Sequence, residues 1–157
     1  MESNVCILVC ENLRREVETV LQENPPPGVR CHVVAFDAAC HKAPGRSLRL
    51  PKLLTELIPA FPAGIHVIGS NCIAGLQPES ATGEGNVFFH RTAACFALLC
   101  NAALVDDLIA QGAHLLSPGW LTRSKRNLAD WGFDQATARA FFRECTREFV
   151  LLDTGTL

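Results

Sequence analysis

The sequence predicts a single α/β domain over 1–157, built on a mostly parallel sheet with helices on both faces. Three observations predict it. Short runs made wholly of apolar residues, such as Val5-Cys6-Ile7-Leu8-Val9-Cys10, have the pattern of strands buried on both faces. These runs alternate with segments whose apolar residues recur at helical spacing, and Pro or Gly punctuates the joins. A chain of 157 residues that is 48% hydrophobic also buries a substantial core without needing a second domain.

Taken in order, the first strand is Val5 to Cys10. Leu13, Val17, Val20 and Leu21 then predict a helix over 12–22, which Pro25-Pro26-Pro27-Gly28 ends. Val29 to Phe36 is a second strand, followed by an irregular polar stretch over 37–51 that holds Cys40-His41. A short helix over 52–58 leads to a third strand, 64–69, ending in Ser70-Asn71-Cys72. Gly75, Pro78, Gly83 and Gly85 mark a long loop, Asn86 to His90 is a fourth strand, and an alanine-rich helix runs from Ala93 to Gln111, capped near Arg91 or Thr92. Gly112 is its C′ residue, and 113–117 is a fifth strand. A helix over 120–131, another capped by Asp134 and running to Arg147, and a last strand over 148–153 complete the chain. Right-handed crossovers assemble such units into one Rossmann-like sheet of about five to six strands.

Fourteen Lys and Arg against sixteen Asp and Glu leave a formal net charge of −2, with the basic residues scattered. This excludes a nucleic-acid footprint. No apolar run approaches the roughly 18–20 residues of a membrane span, and the start lacks a basic signal region, so the expectation is a cytoplasmic protein with no membrane partner.

Eight cysteines make thiols, metals or redox chemistry the question, because the chain is too rich in core to be a small disulfide scaffold. Cys6, Cys31 and Cys145 lie inside apolar runs and read as packing residues. The other placements are informative. Cys10 ends the first strand, Cys40-His41 follow the second, Cys72 ends the third, and Cys95 lies past the fourth in the first turn of its predicted helix. Ligands of open parallel sheets bind outside the carboxyl ends of the strands, so these groups are expected to converge. A helix N-terminus would favour the Cys95 thiolate. Cys95 and Cys100 diverge by about 140° on a helix and do not share one metal, which leaves Cys100 facing the core.

Other features carry plainer readings. His90-Arg91 could hold an anion or simply form a solvated cap, His66 and His114 read as core histidines, and Trp120 and Trp131 as packing residues. Asp106 and Asp107 point apart on a helix and do not form an acid/base pair. No dinucleotide, Walker, nucleophile-elbow or His-Glu-x-x-His motif is present.

The succession Val9-Cys10-Glu11-Asn12-Leu13-Arg14-Arg15-Glu16, Cys40-His41-Lys42-Ala43-Pro44, Gly69-Ser70-Asn71-Cys72, His90-Arg91-Thr92-Ala93-Ala94-Cys95, Ser117-Pro118-Gly119-Trp120-Leu121 and Leu151-Leu152-Asp153-Thr154-Gly155 resembles an uncharacterised bacterial and archaeal domain family. That family's pattern is Cys-Gly-x-Leu-x-x-Glu, Leu-His-x-x-Pro, Gly-Leu-Cys-Gly, His-Asp-Cys and Thr-Pro-Gly-Trp, and the resemblance spans nearly the whole chain. It implies that Cys10, His41, Cys72 and Cys95 hold the functional positions. Family members near corrinoid-dependent methyl-transfer systems, and as input domains of sensor kinases, imply a downstream signalling domain in the same polypeptide as a partner. Asn71-Cys72-Ile73 and Ala94-Cys95 depart from the pattern, which puts the fourth ligand in doubt.

Three thiolates with an imidazole or an open position suit zinc or an iron–sulfur cluster, and the separate strand-end loops favour a cluster of the 4Fe–4S kind. The first expectation is therefore a sensory, ligand-binding module answering a small-molecule, gas or redox signal, with metal ligands Cys10, Cys72, Cys95 and His41. Cys40 or an exogenous group is the alternative fourth ligand, and a homodimer stays open. The alternatives are a zinc- or thiol-dependent enzyme linked to methyl transfer and a plain interaction domain with packing cysteines.

Overall fold

The computed structural model describes residues 2–38, 49–74, 76 and 86–156. The chain divides into two compact units, 1–93 and 94–157, each described by itself.

The first unit is a parallel α/β sheet. Strands β1 (Ser3–Cys10), β2 (Val29–Phe36), β3 (Ile65–Gly69) and β4 (Val87–Arg91) pair in the order β2-β1-β3-β4, every neighbour parallel. Helix α1 (Arg14–Glu23) joins β1 to β2, and α2 (Arg49–Leu57) precedes β3. The chain steps one way across the sheet from β1 to β2 and the other way from β2 to β3. Right-handed crossovers therefore place α1 and α2 on opposite faces.

Strand alternation explains the core beneath α2. Cys6, Leu8 and Cys10 project to one face of β1, level with Ile65 and Val67 of β3, and Leu50 and Leu54 of α2 close over them with Phe36, Ile73 and Val87. No residue of α1 joins this cluster. Val9, on the opposite face of β1, is fully buried as well, as a strand covered on both sides requires. Pro51 is tolerated because it falls in the first turn of α2, where an N–H has no helical acceptor.

The second unit holds α3 (Ala102–Ala110), β5 (Ala113–Leu116), α4 (Pro118–Thr122), α5 (Ser124–Asp130), α6 (Gln135–Cys145) and β6 (Glu148–Leu151). Strands β5 and β6 form their own parallel pair, Ala113 level with Glu148 and Leu116 with Leu151. The expectation of one sheet of five to six strands is corrected accordingly: the described strands make a sheet of four and a sheet of two. Side-chain oxygens cap three helices, Asn101 accepting from Ala103 N at 2.8 Å, Ser117 from Trp120 N at 3.1 Å and Asp134 from Thr137 N at 2.7 Å. Gly112 adopts φ 88° after α3, and a β-carbon there would stand 3.1 Å from the Arg147 side chain.

Beside the buried Val105, Leu115, Leu116 and Ala138, this unit carries a cluster of partly exposed aromatic rings. His114 meets Trp120, Phe142 and Phe149 at centroid distances of 6.1, 4.9 and 5.8 Å, and Trp131, Phe133 and Phe141 extend the contacts. Among the described residues, no helix is long and apolar enough to cross a membrane.

Candidate thiol site at the strand ends

The carboxyl ends of β1 and β3 lie side by side at the point where strand order reverses, which is where open parallel sheets leave a crevice. Cys10 is the last residue of β1 and only 6% exposed. Cys72 lies in a 3₁₀ turn, Asn71–Ile73, that directly follows β3. Two backbone bonds shape the turn, from Ile73 N to Ser70 O and from Ala74 N to Asn71 O, both 3.1 Å. Fully buried Ile73 anchors it in the core.

Register brings the two thiols together. Cys6 lies level with Ile65 and Leu8 with Val67, so the same register sets Cys10 beside Gly69 and on the same face. A β-carbon on Gly69 would stand 3.1 Å from both Cys72 Sγ and Ile73 Cγ2. Cys72 therefore occupies the space a side chain at Gly69 would need, half-buried against the cluster under α2 in which Cys10 is buried. Thr92 N donates to Gly69 O at 3.0 Å, fixing the strand end from the β4 side.

The remaining expected ligands divide differently. Cys40 and His41 lie outside the described residues. Cys95 belongs to the second unit, where it is half-buried and opens a 3₁₀ helix, Cys95–Leu98. The predicted helix from Ala93 to Gln111 is thus corrected: the α-helix starts at Ala102 because Asn101 turns its side chain onto Ala103 N and caps it there. Cys95 has no α-helical macrodipole at its position. Among the described residues, no group of three or more His, Cys, Asp or Glu gathers as a metal site does.

The other cysteines are thiols with distinct surroundings. Cys6 is fully buried, and burial pushes its pKa up to about 11, so it is an inert packing thiol. Cys100 is half-buried and reaches Phe96 O at 3.8 Å. Cys145 is exposed at the end of α6, against the expectation that it packs inside.

Two features were not anticipated from the residues. Asn12 and Glu16, just past Cys10, are 7% and 6% exposed. Their signal was present: Glu16 sits between Leu13 and Val17 on the stripe that faces inward, a carboxylate at a core position. Further along the sheet, His66 Nδ1 and His90 Nε2 share a hydrogen bond at 2.8 Å. The rings are within 13° of parallel and their centroids lie 5.1 Å apart, which is the bond plus a ring radius on each side. The two imidazoles are therefore aligned end to end. Burial, then the His90 charge, lowers the His66 pKa.

Comparison of the chain with family models, with curated proteins and with solved structures returns no match.

Proposed function

We propose that the chain is a ligand-binding sensory module of the cytoplasm whose thiolates Cys10 and Cys72 hold an iron–sulfur cluster. One observation carries the reading: two cysteines distant in sequence share one face and one end of adjacent strands at the reversal point of a parallel sheet, Cys72 fitted against Gly69. The order β2-β1-β3-β4 supports a Rossmann-like first unit, whose ligands would bind at this edge. Thiolate donors fit iron and zinc, and Cys40 and His41, which follow β2 in the sequence, supply the further donors the reading needs. A bound cluster would supply sensitivity to oxygen, redox state or a small ligand, passed to a signalling partner. The chain's own part is to present one ligand, Cys10, buried in the cluster of Leu50, Leu54 and Ile73 and a second, Cys72, half-buried against it.

The test is anaerobic purification with iron, sulfide and zinc analysis. Iron with matching sulfide and a broad visible absorbance is the expected result, largely lost in Cys10→Ser and in Cys72→Ser. Loss in Cys95→Ser as well would add that thiolate to the set. One zinc per chain in colourless protein would replace the cluster by a metal ion held by the same thiols. Metal-free protein whose stability is unchanged by Cys10→Ser and Cys72→Ser overturns the reading and leaves the cysteines as packing residues, the role that the burial of Cys10 beside Leu8 and Phe36 would also serve.

A further inference from the structure

The second unit holds a groove of about 820 Å³ between α5, α6 and β6, unrelated to the thiols. Its floor is apolar: Leu128, Phe142 and Phe149, the last 55% exposed although it is a large aromatic on a strand. Its rim is cationic. Lys125 comes from α5, and Arg139 and Arg143, four residues apart, come from one face of α6. None of the three forms an ion pair among the described residues.

This combination is unusual for the chain. Its formal net charge is −2, yet three cations surround one apolar depression. The one acid in the lining, Asp134, has its carboxylate engaged by Thr137 N at the start of α6. We propose that this groove binds a small apolar carboxylate, an aryl or alkyl acid, with its body on Phe142 and Phe149 and its carboxylate between Arg139 and Arg143. The volume lies within the roughly 300–1,000 Å³ of small-molecule sites. A guanidinium meets a carboxylate through two parallel hydrogen bonds, and an apolar body gains by covering the exposed ring of Phe149. A polyanion would satisfy the rim but leave the aromatic floor uncovered, and a neutral hydrocarbon would leave the three cations without partners. An acid with an apolar tail satisfies both.

The experiment titrates the full chain by calorimetry with 4-phenylbutyrate and, separately, with its uncharged amide. The acid is expected to bind about tenfold more tightly than the amide, the scale of one charge-assisted contact. In the Arg139→Gln/Arg143→Gln double variant, with circular dichroism matching the parent chain, that preference is expected to vanish while amide binding persists. Lys125→Gln, on a different helix, is expected to reduce it severalfold. The proposal falls if the folded parent chain binds acid and amide equally or binds neither. It falls too if the folded double variant keeps the preference.

Discussion

The two units solve the same packing problem with different materials. In the first, four parallel strands with α1 and α2 on opposite faces bury aliphatic residues completely: Leu8, Leu50, Leu54, Ile65, Val67 and Ile73 have almost no exposure. In the second, Val105, Leu115, Leu116, Pro118 and Ala138 are buried, and a string of aromatic rings beside them is left partly in solvent. The difference follows from the sheets. A two-stranded sheet has no central strand to bury, even with four short helices beside it, whereas a central strand such as β1 is covered above, below and on both edges. A close-packed region holds its side chains in single positions, and a looser one keeps surface open for a ligand. Cys10 and Cys72 therefore sit in the closely packed unit and the cationic groove in the more open one.

The sharpest way to break this contrast is Gly69→Ala. The added carbon would approach Cys72 Sγ and Ile73 at 3.1 Å inside a sealed core, so the unfolding free energy should fall by about 2 kcal/mol. The alkylation rate of Cys72 should change with it. A variant as stable as the parent, measured by chemical denaturation, would show that the first unit is not tightly packed at the thiols. A smaller effect is expected in the second unit. Asp134→Ala removes the side chain that accepts from Thr137 N and should cost about 1 kcal/mol, while Asp134→Asn should recover most of it.

The smallest effect separates the two histidine environments. Burial lowers the pKa of both His66 and His114 below the ordinary 6.5, and the His90 charge lowers His66 further. A histidine held neutral in this way stabilises the fold fully above its unfolded value and loses that contribution as the pH falls through the lowered one. Acid should therefore weaken both units below 6.5. In His90→Gln, nuclear magnetic resonance titration should show His66 rising toward the ordinary value and His114 unmoved. Equal movement of both, or none in His66, would refute the separate origins.

Much of the first unit was legible because its strands are unbroken apolar runs. Val29–Phe36 appears where it was expected, and Pro25-Pro26-Pro27-Gly28 separates α1 from β2. The Asp134 cap and the Gly112 helix end were equally readable, since each depends on neighbours a few residues away. Two helices are shorter than their apolar runs suggest. The alanine-rich run hid the stop at Asn101, and the stretch from Trp120 to Trp131 hid the break at Arg123, whose backbone leaves the helical region between α4 and α5. Strand partnership was not legible at all, because the residues of β5 record that it is buried and not which strand it lies beside. The same holds at the site. Strand-end placement singled out Cys10 and Cys72, but the fit of Cys72 against Gly69 depends on a register that only the folded sheet defines.

The end-to-end alignment of His66 and His90 has its own arithmetic of protons. Two neutral imidazoles joined by one N–H···N bond hold two protons among four nitrogens, and the bond takes one of them. The outward nitrogens, His66 Nε2 and His90 Nδ1, must then differ: one bears the second proton and the other a lone pair. While the pair stays neutral, a proton gained at one end is matched by one released at the other, so the two strands share one choice of tautomer across the bond. What lies beyond either ring meets a donor on one side only when it meets an acceptor on the other.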